Sequence, residues 1–110
     1  MEINITRDKN YVRVSLMGHF FDQDDFEKLK KDVQELIIES KNIIIDISRI
    51  TFLSSRGLGT FITLSRLCQE QDLNFILFCP REEILDTIQI SGIDLVVSIA
   101  DTEEKILTMI

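Results

Sequence analysis

Tryptophan is missing from this 110-residue chain, histidine, proline and tyrosine occur once each, and there are two cysteines and four glycines. Each scarcity removes a class of protein. The single histidine, His19, follows a glycine at a strand end and reads as a loop residue rather than a general base. Cys68 and Cys79 are not spaced as a metal-binding pair. Both sit among apolar neighbours, as buried thiols of a reducing cytoplasm do. One proline, four glycines and 45% hydrophobic residues describe a compact globular chain with no disordered tail. No apolar run approaches the roughly 20 residues that span a bilayer. The start Met1-Glu2-Ile3-Asn4-Ile5-Thr6 alternates polar and apolar, unlike a signal peptide. Basic residues are also short: 12 against 19 acidic ones, a net charge of −7. That balance opposes nucleic acid and anionic lipid, and suits a basic protein surface as partner.

Catalytic motifs are missing as well. The chain has no Gly-x-Ser-x-Gly elbow, no phosphate loop and no dinucleotide fingerprint. The acidic pairs Asp24-Asp25, Glu82-Glu83 and Glu103-Glu104 fall at predicted helix starts, where they complement the helix dipole and need no metal. The expectation is a binding domain, not an enzyme, with no cofactor.

What is present is strong periodicity. Ile3 and Ile5, then Val12, Val14 and Leu16, alternate on either side of the polar turn Arg7-Asp8-Lys9-Asn10, a β-hairpin closed by Gly18. Asp22 and Asp24 are candidate N-caps for a helix with Phe26, Leu29, Val33, Leu36 and Ile37 on one face. Ile43 to Ile47, broken only by Asp46, reads as a strand buried on both faces. A connection of about seven residues leads to a helix beginning near Gly57, with Leu58, Phe61, Ile62, Leu64, Leu67 and Cys68 as its apolar positions. Asn74 to Cys79 is a further buried strand ended by Pro80. A short helix bearing Ile84, Leu85 and Ile88 stops at Ser91-Gly92, Leu95 to Ile99 is a brief last strand, and a final helix starts at Asp101-Thr102. The predicted fold is a single α/β domain over residues 1–110. It has a mixed central sheet, the N-terminal hairpin plus parallel strands, packed with about four helices on the sheet faces. Each helix is expected to spend its apolar stripe on that sheet, and the acidic chain to be a monomer. Gly57 and Gly59 read as close packing of a helix start against the sheet.

The stretch Ile44-Ile45-Asp46-Ile47-Ser48, followed by Ile50-Thr51-Phe52-Leu53-Ser54-Ser55-Arg56-Gly57-Leu58-Gly59, closely resembles the signature of STAS domains. More narrowly it is similar to the bacterial anti-sigma factor antagonists. The family pattern is an apolar strand ending in Asp-Leu-Ser, an apolar pair, then Asp-Ser-Ser/Ala/Thr-Gly-Leu-Gly and an apolar helix. The resemblance implies that Ser55 is the serine presented to a serine kinase that is also the anti-sigma factor, and that a metal-dependent serine phosphatase reverses the modification. It implies that Asp46 is the strand-end acid, and Gly57 and Gly59 the glycines opening the helix. Two positions depart from the pattern: Ser54 stands where the family usually has Asp, and Arg56 where it has a small residue. Ser54 is therefore a second candidate acceptor.

The surface expected to meet the partner comprises the loop Thr51 to Arg56, an exposed face of the next helix (Thr60, Thr63, Arg66) and the Phe21–Asp22 turn. Two alternatives stay open at this level. One is an unphosphorylated STAS scaffold, of stressosome or lipid-transport-accessory type, in which Ser54 or Ser55 merely caps the helix. The other is a STAS domain that senses a nucleotide or another small molecule.

Overall fold

The computed structural model describes residues 2–19 and 23–110, with Gln23 described by its backbone alone. Chain order is β1 (Glu2–Arg7), β2 (Val12–Gly18), α1 (Gln23–Ile38), β3 (Ile43–Ile50), α2 (Ser55–Glu70), β4 (Phe75–Phe78), α3 (Glu82–Ser91), a 3-10 helix (Ile93–Leu95), β5 (Ser98–Ala100) and α4 (Glu103–Met109). The five strands form one sheet in the order β1-β2-β3-β4-β5. Only the β1–β2 pair is antiparallel; β2 to β5 run parallel. The expected fold class is therefore observed.

Sequential strand order decides where the helices go. Right-handed crossovers that always step to the next strand in the same direction deliver every crossover helix to one face. The core follows suit. Phe26, Leu29 and Val33 of α1, Phe61 and Leu64 of α2, and Ile84 and Ile88 of α3 share one apolar cluster with Ile43, Ile45, Ile47 and Leu77. The opposite face holds a smaller cluster of Ile44, Ile76, Phe78 and Ala100 beneath Ile106 of α4. Strand alternation makes this split, because neighbouring residues of β3 and β4 point to opposite faces. Burial also holds both thiols protonated, pushing Cys68 up to about 11 and raising Cys79.

Several expectations need correction. β3 runs on to Ile50, so Asp46 lies in mid-strand rather than at its end, and the connection to α2 shrinks to residues 51–54. The extension is Ser48 to Ile50, and its β-branched Ile50 is fully buried. The last strand is Ser98–Ala100, not Leu95–Ile99: Gly92, at φ 80, turns the chain into the 3-10 helix and leaves Leu95 85% exposed. Asp24 lies inside the first turn of α1 rather than capping it, since the helix begins at Gln23. Nor does every helix spend its apolar residues on the sheet. Ile38 is 83% exposed and Ile90 88%.

Candidate functional site

Residues 51–54 leave the carboxyl end of β3 and are braced on both flanks. The Thr51 N–H donates to the Gly18 carbonyl at 3.3 Å, and its hydroxyl shares a 2.6 Å hydrogen bond with His19 Nδ1, tying the loop to the end of β2. On the other flank Arg81, just beyond β4, donates from Nη1 to the Ile50 carbonyl at 2.6 Å and pairs through Nη2 with Glu83 at 3.8 Å. Arg81 escaped the sequence reading. Its signal was positional: parallel pairing, with Asp46 opposite Phe78, carries the segment after β4 alongside the end of β3.

The two serines then part company. Ser54 is the N-cap, with extended backbone (φ −89, ψ 165) and its Oγ accepting from the Gly57 N–H at 3.1 Å. It lines an apolar pocket of only about 10 Å³ with Leu16, Phe26, Phe52 and Phe61. Ser55 is the first residue of α2 and is exposed, and its hydroxyl makes no hydrogen bond among the described residues. No acid stands in the first turn of α2. The free N–H groups and positive dipole end are thus left for an incoming anion. Arg56, exposed beside Ser55, forms no ion pair among the described residues.

The two glycines also differ. A Cβ on Gly57 would meet Leu53 Cδ1 at 3.3 Å and Phe26 Cε1 at 3.5 Å, so close packing accounts for it. A Cβ on Gly59 would meet nothing within 4 Å, and its φ is not in the left-handed region. The close-packing expectation fails for Gly59, because the outer side of α2 faces away from the sheet there.

Thr51, Ser55, Arg56, Thr63 and Arg66 are exposed as expected, and Thr63 donates to the Gly59 carbonyl at 3.1 Å. Thr60 is not exposed. It is only 9% exposed, with its hydroxyl donating to the Arg56 carbonyl one turn back at 2.9 Å, which lets a polar residue occupy a buried position of α2. Phe21 and Asp22 lie outside the described residues. Asp46 is not part of this constellation. It projects from the opposite sheet face, where Oδ2 accepts from Arg13 at 3.0 Å and Oδ1 from the Ser48 N–H at 2.9 Å. Phe52, within the expected loop, is 47% exposed, and one feature was missed, an open groove of about 290 Å³ beside Ser55. Leu58, Gly59 and Ile62 of α2 form one wall, and Ser91, Gly92, Ile93 and Val96 the other. Among the described residues no three His, Cys, Asp or Glu side chains gather as metal ligands do, and no helix is long and apolar enough to cross a membrane.

The chain is thus a small α/β domain with a sequentially ordered sheet, a capped helix start and a free hydroxyl beside it. The STAS domain family matches residues 3–106, and the chain belongs to that family. Its solved relatives in fold include anti-sigma factor antagonists. One from Mycobacterium paratuberculosis superposes with a TM-score of 0.78 at 20% identity, over 97% of this chain and 91% of that one. The phosphorylated form of the Bacillus cell fate determinant SpoIIAA gives 0.71 at 22% identity, over 97% of each chain. RsbS of Moorella thermoacetica gives 0.77 at 21% identity, over 98% of this chain and 93% of that one.

Proposed function

We propose that this domain is an anti-sigma factor antagonist of the bacterial cytoplasm. Unmodified, the surface around the start of α2 binds an anti-sigma factor that is also a serine kinase; a phosphate on Ser55 ends the complex, and a serine phosphatase restores it. The domain acts by binding, not by catalysis. The observation that carries this reading is the contrast between the two hydroxyls. Ser54 is committed to the Gly57 N–H over a pocket too small for a phosphate, whereas Ser55 is exposed and uncommitted.

A phosphate adds about −1.5 to −2 charges and three strong acceptors. At Ser55 it would sit at a helix N-terminus beside Arg56, where the domain itself accommodates an anion. What fails is an interface that packs Ser55 against an apolar or acidic partner surface. A charge buried there unpaired costs about 3 kcal/mol or more, a loss of over a hundredfold in affinity at about 1.4 kcal/mol per decade. One group can thus act as an off switch without refolding anything.

The experiment is incubation with a cognate serine-kinase-type anti-sigma factor and ATP, followed by mass spectrometry. Phosphate on Ser55 is expected. Ser55→Asp should weaken the complex by about tenfold or more, while Ser55→Ala keeps binding and cannot be modified. Phosphate on Ser54 alone overturns the residue assignment. A stable complex with no phosphate on either serine returns the domain to the unphosphorylated scaffold class.

A further inference from the structure

Gly59 is a cost without a visible return inside the chain. Glycine within a helix is less favourable than alanine, because it surrenders more backbone freedom on folding. The usual compensations are a left-handed φ or close approach of a neighbour. Neither is present: the residue has no left-handed φ, and a Cβ would meet empty space out to 4 Å. That empty space is the side of the groove next to Ser55. Its walls, Leu58 and Ile62 on one side and Ile93 and Val96 on the other, are apolar. The far wall continues outward into Leu95, 85% exposed, and Val96, 56% exposed.

Charge says what kind of surface belongs there. From Glu82 to Val97, α3 and the far wall that follows it, there are four acids, Glu82, Glu83, Asp86 and Asp94, and no lysine or arginine. Asp94 stands between the groove-lining Ile93 and the exposed Leu95. We propose that this groove seats an apolar side chain from a basic protein surface, and that Gly59 is kept bare to admit it. The partner's cations then lie over the acidic α3 side, and its apolar anchor lies against Gly59, within reach of Ser55. This rests on the antagonist reading for the identity of the partner, and gives that reading a mechanism. A phosphate on Ser55 stands at the rim of the groove against the apolar anchor, away from the partner's cations over α3, so it would be buried there unpaired.

The test uses the whole domain and defined probes. A short acetylated and amidated peptide of lysine and leucine is titrated while backbone amide shifts are followed. A second peptide carries glutamate in place of lysine. The basic peptide should move the amides of Ser55, Gly59, Ile62, Gly92 and Val96, and the acidic one should not. Gly59→Ala should raise the melting temperature by about 3 °C and yet weaken the basic peptide. Gly59→Leu, which fills the groove further, should weaken it by about tenfold or more. The proposal is overturned by shifts centred elsewhere, by equal binding of both peptides, by unchanged affinity in the alanine variant, or by a lowered melting temperature in it. Alanine suffices if the leucine variant does not fold. The two readings fail separately. A kinase that modifies Ser55 and binds the Gly59 variants normally removes the groove and leaves the switch. Groove-centred shifts in a domain that its kinase never phosphorylates do the reverse.

Discussion

The two faces of the sheet are closed by different means. On one, α1, α2 and α3 bury a continuous apolar layer in which Leu29, Val33, Ile45, Ile47 and Leu64 are fully excluded from solvent. On the other, the seven-residue α4 covers little more than Ile44, Ile76, Phe78 and Ala100. Arg13 serves the remainder of that face. It pairs with Asp46 and Glu103, and its guanidinium lies 5.2 Å from the centre of the Phe78 ring. Burial by itself would lower the Arg13 pKa, but hydrogen bonds to Glu103, Tyr11 and Asp46 outweigh it and raise the value. The difference teaches that a contiguous signature in sequence need not be a contiguous site. Alternation along β3 sends Ile45 and Ile47 forward to the helices and Asp46 backward to Arg13. The acid of the motif secures the strand from behind, while Ser54 caps α2 and Ser55 stands exposed in front.

Substitutions can break or sharpen this contrast. The largest effect is expected on the three-helix face: Leu64→Ala should cost about 4 kcal/mol in urea unfolding, against about 2.5 for Ile106→Ala on the thin face, where a short helix can settle into the gap. Equal losses would mean that the two faces are equally well packed, and the comparison would fall. Asp46→Ala should cost about 1.5 kcal/mol, through a part-buried Arg13 left with one acid fewer and an unpaired Ser48 N–H. Partner binding should persist once the variant is folded; loss of binding by the folded variant would place Asp46 in the functional site after all. The smallest effects separate the serines. Ser54→Ala should lose about 1 kcal/mol with its cap, whereas Ser55→Ala should stay within about 0.5 kcal/mol of the parent in the same melts. Equal losses would give both hydroxyls structural work.

The front face was the more legible in sequence because its signals are periodic. Phe26, Leu29, Val33 and Leu36 repeat at helical spacing, and all four are buried. Ile43 to Ile45 could be read as doubly covered, and they are. The resemblance to the family motif singled out Ser55, which is exposed at the start of α2, but did not show that Ser54 would be spent as the cap. Reading failed where an apolar run was not a burial signal. In Leu95-Val96-Val97 only Val97 is buried, because the left-handed Gly92 starts a 3-10 turn that swings the other two outward. It failed again at Thr60, whose hydroxyl is satisfied by the carbonyl one turn back, so that polarity no longer implies exposure. Gly57 and Gly59 are identical letters two positions apart, and only coordinates reveal that one is packed and the other bare.

Strand order carries a consequence for how the chain is made. Because β3, β4 and β5 each pair with the strand immediately before them, every βα unit leaving the ribosome finds its docking edge already formed. Folding can advance with synthesis, and no strand waits for a distant partner. The hazard is concentrated in the last step. Until Ser98–Ala100 arrives, the outer edge of the sheet is β4, Phe75-Ile76-Leu77-Phe78, all four residues of which are buried in the finished domain. A nascent or truncated chain ending before Ser98 presents that uncharged, aromatic edge to its neighbours on the polysome, so three short residues of β5 and the seven of α4 stand between a finished domain and a sticky intermediate.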